Sequence, residues 1–193
     1  MSNRKLLPVV LLGAAMLTSI GCQSTDSSGK AMYEAARTGN VETVKQLIAD
    51  GTPVDVPYKN GRTGLLTATH QSQMGAATAL LDAGADPGAA DADGKTPLMW
   101  ASSRGYIPLL NAMIAKKPNL NAQDDRGYTA LMHAAGTQQM ESIKTLVAAG
   151  ADPSIADNKG RTPTDVLAIR GLSIPSAGAA PSGAAPAVAA PAK

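Results

Sequence analysis

Residues 91–99 read DADGKTPLM, and two ligand chemistries have a claim on them. A phosphate loop needs two glycines with four residues between them, so that successive N–H groups curl around one phosphate. The nearest upstream glycine is Gly88, and five residues separate it from Gly94, so that cradle does not form. A calcium loop opening at Asp91 finds Asp93 in place, but Lys95 stands at its fifth position and Ser102 at its twelfth, where oxygen ligands are required. Spacing excludes both.

The same words recur elsewhere in the chain. Gly61 opens GRTGLLTAT, Gly94 opens GKTPLMWAS, Gly127 opens GYTALMHAA and Gly160 opens GRTPTDVLA, always 33 residues apart. Thr63, Thr96, Thr129 and Thr162 follow each glycine by two places, and Ala68, Ala101 and Ala134 follow by seven. Late in the units LLDAGADP (80–87) and LVAAGADP (146–153) match, LIADGTPV (47–54) is a looser copy, and AMYEAARTGN (31–40) sits one period earlier. A fixed period of this length is the mark of a repeat architecture, in which each unit buries its apolar face against its neighbours.

The period translates into local structure. Asp91, Asp124 and Asp157 each precede a glycine by three, the pattern of a type I turn with Asp first and Gly fourth. Each Thr then caps a short, Ala-rich helix of about eight residues, with Pro97 or Pro163 in its first turn, where a missing N–H costs nothing. A second helix follows, as in ESIKTLVAA (141–149), with Met140, Ile143, Leu146 and Val147 at helical spacing. Gly51, Gly84 and Gly150 end these second helices in the left-handed conformation. DADGKTPLM is thus a turn and a helix start.

With its turn, its Thr-Pro-Leu entry, its paired small residues and its GADP exit, the chain resembles the ankyrin-repeat family over residues 30–172. The resemblance implies an all-α solenoid of stacked helix-turn-helix units with projecting turns or short β-hairpins. Units fall at about 30–60, 61–93, 94–126 and 127–159, with a capping repeat at 160–172. Leu66, Met99 and Met132 stand where the family usually has His, unit three ends AKKPNL, and Leu167 replaces a small residue. Composition agrees: Phe is absent and aromatics are 3%, so thin layers of Ala, Leu, Val and Met build the core. Glu34, Lys45 and Gln46 are expected to give the first unit a polar outer face.

The N-terminus suggests an address. Arg4 and Lys5 precede an apolar run from Leu6 to Met16 and then small residues, a secretory signal over 1–21 that is too short to span a membrane. Cys22, the only cysteine, follows TSIG, which resembles a bacterial lipobox with Ser19 in place of the usual Leu. That resemblance implies lipidation of Cys22; ordinary cleavage leaving a free thiol is the alternative. By likeness to Gram-negative lipoproteins, Gln23 rather than Asp implies the outer membrane, facing the periplasm. Residues 22–29 read as a polar tether, and 173–193, with nine Ala and four Pro in its last 19 residues, as an Ala/Pro-rich disordered tail.

The chain carries 17 basic and 15 acidic residues, but removing Arg4 and Lys5 leaves 15 of each. The pI near 8.7 therefore argues for no nucleic-acid partner. No Gly-x-Ser-x-Gly elbow and no His pair at metal spacing occurs, and His70 and His133 lie nearly two units apart. No catalytic residue, metal, cofactor or small-molecule substrate is implied. What remains is surface. Ankyrin repeats bind proteins through turn tips and the exposed face of the first helix, which by position implies Arg62, Lys95, Arg126, Tyr128 and Arg161 at tips and His70, Gln71 and Arg104 on first helices. A row of bases, Arg62, Lys95, Arg126 and Arg161, is expected to meet an acidic partner surface. Two functions fit: an interaction module docking, stabilising or localising an envelope protein, or an inhibitor (an immunity protein) of a toxic enzyme delivered there.

Overall fold

The computed structural model describes residues 25–174; the readings of 1–21 as a signal, of Cys22 as a lipid site and of 175–193 as a tail lie outside them. Among the described residues the chain forms helices α1 (Thr25–Thr38), α2 (Val41–Ala49), α3 (Gly64–His70), α4 (Met74–Asp82), α5 (Pro97–Arg104), α6 (Ile107–Ala115), α7 (Ala130–Gly136), α8 (Met140–Ala148) and α9 (Pro163–Ala168). The odd-numbered helices pack on one another in an inner row and α2, α4, α6 and α8 in an outer row. No strand is present among these residues. Of the projecting turns or short hairpins expected, the turns are present, with one isolated bridge, Tyr58 with Arg62, among the described residues.

Each inner helix after the first starts where the sequence places it. The hydroxyls of Thr63, Thr96, Thr129 and Thr162 accept from the N–H three residues on, at 3.3, 3.2, 3.3 and 3.3 Å. Such a cap is worth about 1 kcal/mol. At Thr162 the cap is reciprocal, because the Asp165 carboxylate accepts from the Thr162 N–H at 2.8 Å. The outer helices lack a side-chain cap at Gln73, Tyr106 and Gln139. A backbone lock replaces it: those N–H groups donate back to Ala68, Ala101 and Ala134 at 2.8, 3.1 and 2.9 Å.

The core is a run of thin layers. Ala68, Ala101 and Ala134 are fully buried, and Leu65, Leu80, Leu110, Met113, Ile143 and Leu146 fill the space between the two rows. Leu167 occupies the place of the next small residue and is fully buried. Only α7 and no outer helix packs against α9 among the described residues, so a larger side chain has room there. Unit three departs at Lys117, which stands where Gly84 and Gly150 stand and adopts their left-handed backbone (φ 56°). A side chain held there costs about 1 kcal/mol relative to glycine.

One boundary moves. Residues 25–29, read as tether, are the first turn of α1. TDSSG is a poor helix former, and tertiary contact overrides that preference. Gly29 is buried so closely against the following loop that a Cβ there would lie 2.8 Å from the Pro57 carbonyl oxygen. The first unit is polar outside, as expected, through local pairs: Glu34 with Arg37 at 2.8 Å, Glu42 with Lys45 at 3.8 Å and Gln46 with Asp50 at 2.9 Å.

Candidate partner-binding surface

The projecting turns are built on three buried carboxylates. Oδ1 of Asp91 accepts from the N–H groups of Asp93 and Lys95, both at 3.0 Å. Asp124 does the same for Arg126 and Tyr128, both at 2.9 Å, and Asp157 for Lys159 and Arg161 at 2.8 and 2.9 Å. The second oxygen of each faces the interior, and a buried carboxylate needs a partner there. Asp91 takes Arg62 Nε at 3.4 Å, Asp124 takes His133 Nε2 at 2.9 Å, and Asp157 takes the Arg161 guanidinium at 2.7 Å.

Successive turns are also joined to each other. Ala92 N–H donates to the Asn60 carbonyl at 2.8 Å, Asp125 to Asp93 at 3.1 Å and Asn158 to Arg126 at 3.1 Å. Arg161 Nη2 reaches back to the Tyr128 hydroxyl at 2.7 Å, and the Tyr128 ring meets His133 edge-on at 5.7 Å.

Two of the four bases in the expected row are also engaged within the stack. Arg62 and Arg161 direct their guanidinium groups at Asp91 and Asp157 and hold the turns together. Tyr128 is likewise engaged between repeats. Lys95 and Arg126 remain at the tips: Lys95 makes only a long pair of 3.9 Å with exposed Asp93, and Arg126 is exposed with no ion pair among the described residues. Arg104 is exposed at the end of α5, and Gln71 is exposed with its amide 3.3 Å from His70 Nδ1.

His70, Lys95 and Arg104 converge on a residue that sequence reasoning passed over, Trp100. The His70 ring meets the indole edge-on at 4.3 Å, and Lys95 Nζ and the Arg104 guanidinium lie 5.7 and 5.6 Å from its centroid. The indole Nε1–H has no acceptor within the protein. A usable signal existed, since Trp100 is the chain's only tryptophan and sits four places after the cap of an inner helix.

A sequence model of ankyrin repeats in three copies matches residues 32–124, 73–157 and 99–174. The chain belongs to the ankyrin-repeat family. Ankyrin repeats are protein–protein interaction modules and, as a family, generally not enzymes. Among curated proteins the chain is similar to the mitochondrial disaggregase of Bos taurus, 34% identical over 89 residues, and to that of Homo sapiens, 32% identical over 89 residues. Each match covers 46% of this chain and 13% of the relative, so the ankyrin chain spans a small part of those proteins' length.

Both histidines of this ankyrin stack are less basic than an ordinary imidazole. Burial lowers His133 more than its bond to Asp124 raises it. At His70 burial acts first and the charges of Arg62, Arg104 and Lys95 add to it. Neutral His133 must then carry its proton on Nε2, since the facing carboxylate only accepts. At Asp157 burial pulls the carboxyl up, but N–H donation from Arg161 and Lys159 and the Arg161 guanidinium outweigh it and hold it below the usual range.

A pH dependence follows for the histidines. Their folded values lie below the ordinary 6.5, so the unfolded chain binds more protons between the two. Their contribution is complete above about 6.5 and is lost as pH falls through the folded values. The urea midpoint is expected to drop between about pH 7.5 and pH 5.5, and to drop less in His133→Gln. Equal slopes in the two proteins would remove His133 from this account.

Proposed function

We propose that this ankyrin-repeat chain is a protein–protein interaction module tethered to a bacterial envelope by lipid on Cys22, where it docks, stabilises or localises a partner protein. The observation that carries the binding half is the surface left over once the turn-bracing pairs are made. Along the inner helices and tips, Arg104 and Arg126 make no ion pair among the described residues and Lys95 only the long one to Asp93, with the Trp100 ring beside Lys95 and Arg104. The tether half is supported by the basic, apolar and small-residue order of the first 22 residues and by the single cysteine that ends it. No helix among the described residues is long and apolar enough to cross a membrane, and several acyl chains on one residue anchor stably.

Partner capture from envelope extracts tests the first half. Reversing Lys95 and Arg126 to Glu is expected to weaken capture about tenfold or more, and more so at low salt, because complementary charge steers encounter and register. Reversing Lys45 and Lys144, on α2 and α8, with side chains 61% and 54% exposed, is the control and is expected to change little. Equal loss from both pairs refutes the tips as the site.

Fatty-acid labelling tests the second half. The wild type is expected to take label and Cys22→Ser to take none. A wild type that stays soluble and unlabelled removes the anchor.

A further inference from the structure

We propose that the surface around Trp100 is a subsite for an acidic segment of a partner protein, seating a carboxylate between Lys95 and Arg104 with an adjoining apolar side chain against the indole. This rests on the protein-binding reading above and names the chemistry of what binds. Three segments supply the subsite: the end of α3 brings His70, the turn before α5 brings Lys95, and α5 itself brings Trp100 and Arg104.

The charge there is unbalanced. Lys95 has only exposed Asp93 at 3.9 Å, an ion pair of a kind worth about 0–1 kcal/mol. Arg104 has no ion pair among the described residues. Arg62 nearby is already matched by Asp91. Of the two cations beside the partly exposed indole, Arg104 therefore has no counter-charge among the described residues and Lys95 only a weak one. A seated carboxylate also offsets the positive charges of Arg104 and Lys95, which add to burial in making His70 less basic, so His70 is expected to become more basic when the site fills. A polypeptide with spaced carboxylates suits this surface better than a run of phosphates. The neighbouring tips present exposed Asp93 and Asp125, which repel a continuous polyanion.

Because Trp100 is the only tryptophan, its emission reports this surface directly. The experiment selects a displayed random dodecapeptide library against the full chain and titrates the enriched peptides while following that emission. Enriched peptides are expected to carry Asp or Glu next to an aromatic or aliphatic residue and to shift Trp100 emission. Lys95→Gln with Arg104→Gln is expected to weaken them at least about tenfold, while Lys45→Gln with Lys144→Gln leaves them unchanged. In His70, the imidazole proton resonances are expected to titrate at higher pH with peptide bound.

The proposal is overturned by no enrichment, by enriched peptides without acidic residues, by binding that leaves Trp100 emission unmoved, or by an equal response to a single-stranded oligonucleotide of matched charge. None of these touches the wider reading, which stands or falls on partner capture. If capture succeeds but is indifferent to Lys95→Gln with Arg104→Gln, the module binds proteins elsewhere and this subsite is wrong.

Discussion

Gly94→Ala is expected to destabilise the protein by about 2–4 kcal/mol, a large change for one methyl group on a turn. Two costs add. The backbone at Gly94 is left-handed (φ 73°), which costs a side chain about 1 kcal/mol. The new Cβ also lies 2.9 Å from Asp124 Cα and 3.2 Å from the Asp125 N–H nitrogen, so it pushes the next turn away and strains the Asp125-to-Asp93 hydrogen bond. Gly160→Ala separates the two costs. That residue has the same backbone (φ 75°) but nothing within 4 Å of a Cβ, so only about 1 kcal/mol is expected. Urea unfolding of both variants decides it. If both lose the same amount, the turns do not bear on one another and the close approach is unimportant.

Leu80→Ala and Leu146→Ala are each expected to cost about 2–5 kcal/mol, the range for emptying a packed leucine site. Both side chains are fully buried, on α4 and α8. In a stack where units contact only their neighbours, position decides the form of the loss. Leu80 is flanked by outer helices on both sides, α2 and α6, so its loss weakens two interfaces. Leu146 on α8 has an outer neighbour on one side only, α6, among the described residues. Leu80→Ala is expected to lower the whole transition, and Leu146→Ala to broaden it as the C-terminal units fray first. Hydrogen exchange resolved along the chain tests this. Uniform loss of protection in both variants contradicts it.

The scaffold was largely legible in the sequence because its determinants are local. Thr two places after Gly marks a cap, and the glycines closing α2, α4 and α8 report a left-handed backbone. The start of α1 was not legible, since its buried Gly29 lies against Pro57, a contact between residues far apart in sequence. The surface was half legible for a related reason. Asp91 and Asp157 read as turn formers, and their Oδ1 atoms do serve that role. The same carboxylates have a second oxygen, and in a buried setting it captures the nearest cation. That engages Arg62 and Arg161 of the row within the stack, while Arg126 makes no ion pair among the described residues and Lys95 only a long one. Trp100 escaped because its neighbours, His70 and Lys95 among them, come from other segments and are placed only by the fold.

The turn-to-turn hydrogen bonds have a mechanical meaning. All three run the same way, from a later N–H to an earlier carbonyl, and stitch the tips into a continuous hem. The helices beneath are held by apolar contact, which has no preferred direction and yields to small sliding. A directional bond does not yield in that way: it holds its length or breaks. Bending of the stack therefore opens and closes the outer helices about the hem, as the ribs of a fan spread about their pivot. On the proposed binding mode, a partner seated on Lys95 and Arg126 would grip the pivot and leave the ribs free to spread.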